Sequence, residues 1–332
     1  MSDPTATTSQ SNQPLSVSRT QRLGGLSVAA QLAMFVRAGA ALALTVPVIC
    51  GVALGWWDQE SVNLIGAIFA IMGAFTGVLS INALWEYIDY RRGLPIDHYE
   101  ARLLPDSGYS LMRSGRIDPI FTRNVGVILG IAGLICGLLL GLLAGWPMLL
   151  FALAGYGLAF LYAGPPLRYG YRGWGLGEVG IFISFGLLTT ASGFYGATGY
   201  LTSTVPFAAI PLGLLAMLVV FNYNVLRYRR DWLIRKRTLV VSLGMARGID
   251  AGVALTIATY GAFVIMASAG HLPLWTLLSL GGLPIVLGAY SAIWRSKRPT
   301  DDLSALYQAT LNAAIGTGIL FCLGLWLDKI LQ

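Results

Sequence analysis

Nine stretches of this chain are long and apolar enough to cross a lipid bilayer, which decides most of what it can fold into. They lie roughly at 33–56, 61–88, 122–142, 145–163, 176–196, 206–226, 249–269, 273–293 and 305–327. A helix needs about 20 apolar residues to span the hydrocarbon. Within it every backbone N–H and C=O must be satisfied internally. The expected fold is therefore an all-α polytopic membrane protein with nine transmembrane helices. Charged residues make up only 11% of the 332, against about 25% in a soluble domain. No long polar block is left over to form one. Residues 33–330 read as a single transmembrane domain. Residues 1–32, rich in Ser, Thr and Gln, read as a disordered tail rather than a cleaved signal. A Gly145-Trp146-Pro147 turn predicts a tight hairpin between the third and fourth spans.

Positive charge sets the orientation. With the N-terminus inside, every Lys and Arg falls on the cytoplasmic side except Lys329. That division follows the positive-inside rule and predicts a multi-pass protein of the inner (cytoplasmic) membrane with a cytoplasmic N-terminus. The formal net charge of +7 is then a topology signal. No aromatic-interleaved basic surface of the soluble type accompanies it, so nucleic acid is not an expected partner. Cys50, Cys136 and Cys322 lie in apolar spans with no metal or disulfide spacing.

Against this apolar background, two polar clusters end the second and sixth spans on the same side. Asn82, Glu86 and Asp89 are spaced to share one helix face, with Asp97 in the loop beyond. Asn224, Arg227 and Asp231 form a second stripe, followed by Lys236 and Arg237. The two helices run in the same direction, which suggests a weak internal repeat with the stripes facing each other across a central cavity. The loops 90–121 and 227–248 would cap that cavity. Carboxylates at the end of a membrane helix are costly unless they hold something. A magnesium diphosphate suits them. Mg²⁺ takes oxygen ligands, commonly one or two carboxylates plus phosphate, and Arg and Lys clamp the remaining phosphate oxygens. The plainer reading is a set of interfacial charges that pair with one another and end a helix. Asp58, Glu60, Asp118, Asp301 and Asp302 belong to that plainer class, with Asp118-Pro119 and Asp301-Asp302 read as caps.

The order of motifs resembles UbiA-type intramembrane prenyltransferases, in particular the branch acting on 1,4-dihydroxy-2-naphthoate. Trp85-Glu86-Tyr87-Ile88-Asp89-Tyr90-Arg91-Arg92-Gly93, with Asp97, is similar to that family's first Asp-rich motif. Tyr162-Ala163-Gly164-Pro165-Pro166-Leu167-Arg168-Tyr169, leading to Gly177-Glu178, resembles the loop after its fourth helix. Asp231 with Lys236-Arg237-Thr238-Leu239-Val240-Val241 resembles the tail of its second Asp-rich motif. Arg37, ahead of Pro47 and Gly51, resembles the first-helix Arg. The similarity covers roughly residues 33–330. Two positions depart from the pattern: Trp85 stands where the family has Asn, with Asn82 one turn back, and Arg227 stands where the second motif has its first Asp.

The resemblance implies nine helices around a cavity open sideways to lipid. It implies a polyprenyl diphosphate donor, an electron-rich aromatic acceptor and Mg²⁺. Glu86, Asp89 and Asp231 are the implied metal ligands and catalytic residues. Arg37, Asn82, Tyr90, Asp97, Tyr162, Arg168, Glu178, Asn224, Arg227, Lys236 and Arg237 are the implied substrate contacts. For dihydroxynaphthoate the product would be a demethylmenaquinone. Another aromatic ring, or a catalytically silent prenyl-lipid binder, remains an alternative, with Arg227 the residue that favours the silent form. A transporter fits less well, because transporter charges gather near the midplane and these acids gather at one interface.

Overall fold

The computed structural model describes residues 37–59, 61–93, 108–295 and 299–331; the expected tail, Glu60, Asp97 and His98 lie outside them. The described chain is a helical bundle. Its elements are α1 (Ala38–Asp58), α2 (Leu64–Arg91), the short α3 (Gly108–Arg113), α4 (Pro119–Ala144), α5 (Pro147–Ala163) and α6 (Leu176–Thr198). They continue with α7 (Thr204–Leu226), the short α8 (Tyr228–Leu233) and α9 (Leu239–Leu243), α10 (Met245–Ser268), α11 (Leu274–Arg295) and α12 (Pro299–Leu331). Eight of these are long and apolar enough to span a membrane, and α5, with 17 residues, is a shorter ninth. All nine expected spans are therefore helices, and the chain is a multi-pass membrane protein.

Local chemistry sets the helix ends. α4 starts at Pro119 because the Asp118 carboxylate caps it, accepting the Ile120 N–H at 2.9 Å. α12 begins at Pro299, so Asp301 and Asp302 sit inside its first turn rather than ahead of it as caps. The turn between α4 and α5 is the expected hairpin, with Gly145 at φ 111°.

Close helix contact, rather than a water-driven core, holds a membrane bundle together. At the crossing of α1 and α6, a Cβ on Gly51 would lie 2.2 Å from the Thr190 carbonyl oxygen. A Cβ on Gly193 would lie 2.1 Å from that of Val48. Only glycine admits so near an approach of two backbones. Buried polar side chains add cross-links. Asn222 on α7 donates to Thr310 on α12 at 2.8 Å and accepts from Tyr290 on α11, while Tyr260 and Thr317 bond at 3.0 Å. The outward faces carry Leu142, Ile128, Leu153 and Ile265, all exposed. Two thirds of α1's apolar stretch (67%) is buried, against 17% of α4's, so α1 is central and α4 faces lipid.

Candidate active site

The two polar stripes meet. α2 and α7 end at the same end of the bundle, around a cavity of about 800 Å³. Of the residues singled out in the sequence, Arg37, Asn82, Glu86, Asp89, Tyr162, Asn224, Arg227 and Lys236 line it. Helical spacing explains the α2 side, where Asn82, Glu86 and Asp89 are all buried along one face. On the α7 side the helix stops at Leu226, and Arg227 begins a short turn into α8 that buries Arg230 and Asp231.

Every acid in the cluster is met by a cation. The Arg37 guanidinium donates to Glu86 Oε1, and Arg227 Nη1 lies 3.9 Å from the same oxygen. Glu86 Oε2 accepts the Tyr109 backbone N–H at 2.9 Å, which ties α3 to α2. Asp89 Oδ2 accepts from Arg230 Nη2 at 3.0 Å and lies 3.8 Å from Arg227 Nη2. Arg92 Nη1 is 4.0 Å from Asp89 Oδ1. Asp231 Oδ2 pairs with Lys236 Nζ at 3.4 Å, yet neither of its carboxylate oxygens has a hydrogen-bond partner. Among the described residues, these pairs set five cations against three carboxylates.

Electrostatics outside the spans follow the same pairing. Burial, with the nearby Asp89 carboxylate adding to it, raises the Asp231 pKa, while Lys236 and Arg227 pull it back down. Burial works against the Lys236 charge, but Asp231 and the Tyr162 and Tyr171 hydroxyls outweigh it and hold the ammonium above its usual range.

Aromatic rings form the walls. The Tyr223 ring lies beneath both Arg37 (4.6 Å) and Arg227 (5.2 Å), and its hydroxyl accepts from Arg227. Lys236 sits over Tyr162 (5.5 Å) and Tyr171 (5.7 Å), and Trp85 stacks on Tyr162 at 4.8 Å. Such faces attract cations electrostatically. The loop after α5 is tied to the segment before α9 by a bridge between Arg172 and Arg237, which steadies Lys236 from behind.

A second, apolar cavity of about 680 Å³ lies between α2, α4, α5 and α6. Gly73, Gly77, Gly133 and Gly155 keep it open, and it shares Val78, Ile81 and Phe185 with the polar one. Together they set a charged chamber beside an oily one, with these three residues walling both.

The remaining sequence-derived residues sit elsewhere. Asp231 is buried directly behind the cavity wall, against Lys236. Glu178 is also buried off the cavity, and its Oε1 accepts from Asn224 Nδ2 at 3.2 Å and the Leu239 N–H at 3.1 Å. It thereby ties α6 to α7 and α9. Arg168 and Arg237 are exposed, and Tyr90 is half-buried; none of the three lines the cavity. Asp97 lies outside the described residues. Sequence reasoning missed Arg230, Tyr109, Tyr171, Tyr223 and Tyr307. Arg230 was hidden in a basic run that topology alone explains, and the tyrosines carry no charge or spacing that marks them in the sequence.

The comparisons agree with this architecture. The model of the UbiA prenyltransferase family matches residues 44–315. A 1,4-dihydroxy-2-naphthoate octaprenyltransferase of Mycobacterium leprae is 28% identical over 264 residues, covering 80% of this chain and 85% of the relative. The Escherichia coli protein of the same name is 26% identical over 297 residues, covering 85% and 90%. Among solved structures, a UbiA homolog from Aeropyrum pernix superposes with a TM-score of 0.60 at 15% identity, over 86% of this chain and 97% of that one. A UbiA homolog from Archaeoglobus fulgidus bound to GPP and Mg²⁺ gives 0.56 at 14% identity, over 88% and 99%. The helical order, the paired motif ends and a family match across most of its length place this chain in the UbiA prenyltransferase family.

Proposed function

We propose that this prenyltransferase moves a polyprenyl group from its diphosphate onto 1,4-dihydroxy-2-naphthoate, in menaquinone biosynthesis. The observation that carries the reading is the adjoining pair of cavities. One is lined with cations suited to a diphosphate, and the other is apolar, as a polyprenyl tail requires. Relatives bearing the dihydroxynaphthoate name match most of the chain, which supports that acceptor.

The residues can be tested against a divalent metal. Among the described residues, no cluster of three His, Cys, Asp or Glu side chains could hold one by itself. Mg²⁺ does not require one, since it is commonly held by one or two carboxylates plus substrate phosphates. Among the described residues Asp231 is buried with no hydrogen bond to either carboxylate oxygen, and Asp89 lines the cavity. These are the two acids that would hold one Mg²⁺. When bound, it supplies electrophilic pull on the diphosphate leaving group.

The chain's own groups do the rest. Arg37, Arg227 and Lys236 bind and orient the diphosphate oxygens through charge-assisted hydrogen bonds. Glu86 holds Arg37 in place and ties α3 to α2. The allylic C–O bond breaks with its electron pair leaving on the diphosphate oxygen. The Tyr162, Trp85 and Tyr223 faces shelter the resulting cation until an acceptor ring carbon attacks it. Loss of the ring's proton or carboxylate restores aromaticity. Asn224, whose buried Oδ1 has no hydrogen-bond partner, is placed to accept from an acceptor hydroxyl.

The positive-inside distribution supports a cytoplasmic position for this end of the bundle and a cytoplasmic N-terminus. The test is direct. Purified protein with labelled polyprenyl diphosphate, dihydroxynaphthoate and Mg²⁺ should release pyrophosphate and form a prenylated naphthoquinol. Release with another ring but not this one would reassign the acceptor. No release with any aromatic acceptor would remove the proposal.

A further inference from the structure

We infer that Arg227 occupies the place of a divalent cation, so that this site binds its diphosphate with one metal ion rather than two. The inference rests on the prenyl-transfer reading and sharpens it.

Consider where a cation bridging the two α2 acids would sit. Glu86 and Asp89 are one helical turn apart on a common face, both buried at the cavity wall. A shared divalent ion would lie between their oxygens. The Arg227 guanidinium is there instead, 3.9 Å from Glu86 Oε1 and 3.8 Å from Asp89 Oδ2. Both Glu86 oxygens already carry a partner, Arg37 at Oε1 and the Tyr109 amide at Oε2. Guanidinium is planar and permanently charged, and it binds carboxylate and phosphate with the same fork. Arg227 can therefore keep the α2 acids neutralised on one side and present N–H groups to a diphosphate on the other.

Asp89 and Asp231 remain as the acids for a metal, the latter with no hydrogen bond to either carboxylate oxygen among the described residues.

Manganese stands in for magnesium and can be counted by electron paramagnetic resonance. Protein in detergent, saturated with inorganic pyrophosphate, is titrated with Mn²⁺, and pyrophosphate binding is measured separately by calorimetry with a chelator present. One Mn²⁺ per chain is expected, with metal-free pyrophosphate binding weakened by no more than about tenfold, because the cations do most of the anchoring. Arg227→Asp should raise the count to two and abolish metal-free pyrophosphate binding. Arg227→Lys, a milder change that keeps the charge, should stay at one. Two Mn²⁺ in the unaltered protein would overturn the inference while leaving prenyl transfer intact. No pyrophosphate binding at any metal concentration would overturn the prenyl-transfer reading, and this inference with it.

Discussion

α2 and α7 deliver polar ends to one chamber with opposite charge. α2 brings Glu86 and Asp89, while α7 and its continuation α8 bring Arg227, Arg230 and a single acid, Asp231. Each α2 acid is matched by guanidiniums from across the cavity, with Arg230 reaching Asp89 at 3.0 Å. Asp231 has only the Lys236 ammonium at 3.4 Å and no hydrogen bond. Two similar stripes in sequence thus do different work. The α2 acids organise the cations and anchor α3; the α8 acid is left under-satisfied, as a ligand site would be.

Removing Glu86 should break that arrangement most severely. Glu86→Gln keeps the shape but strands Arg37, and losing one partner of a buried pair costs about 3–5 kcal/mol. Pyrophosphate release should fall to background with a lowered melting temperature, and wild-type turnover would refute the role given to this carboxylate. Asp89→Asn should be milder. A hydrogen bond to a charged group is worth about 1.5–3 kcal/mol, so kcat/KM should drop by roughly 10- to 150-fold, with a raised Mg²⁺ requirement.

The α8 side has its own signature in pH. Burial raises the Asp231 pKa above its unfolded value, so between those two values the folded chain holds the proton more tightly. Stability therefore falls as pH rises through that window. In metal-free detergent, the melting temperature should decline from about pH 4 upward. Asp231→Asn should flatten that decline, and Mg²⁺ with pyrophosphate should oppose it in the unaltered protein. An identical pH profile in the variant would show that Asp231 carries no such strain.

Two smaller effects serve as controls on the contrast. Tyr290→Phe removes a hydrogen bond to Asn222 away from the chamber. It should cost about 1 kcal/mol of stability and leave kcat unchanged. Arg168→Ala and Arg237→Ala alter exposed cations that line neither cavity. Each should change kcat/KM by less than about threefold, since exposed charges contribute little. A large loss at either would mean that the chamber extends further than its described walls.

Much of this molecule was legible before any coordinates. Apolar length named nine helices, because a span has no other way to satisfy its backbone. Helical spacing put Asn82, Glu86 and Asp89 on one face. The order of motifs pointed to the family without indicating which residues touch. Arg168, Arg237 and Tyr90 matched a motif and lie off the cavity, whereas Tyr223 matched none and lines it, and Arg230, also unmatched, pairs with the cavity-lining Asp89. Glu178 was singled out for its depth, and its depth proved to be that of a tie between helices.

What the chain determines by itself is periodic and local: which segments enter lipid, which face of each is polar, and where a helix stops at Asp118 or Leu226. Only the folded bundle decides which charge meets which. Arg227 and Glu86 are more than a hundred positions apart, and their pairing arises from the crossing of helices that glycines such as Gly51 and Gly193 allow to pack closely. Coulomb energy depends on distance in space, and no reading of spacing along the chain supplies that distance.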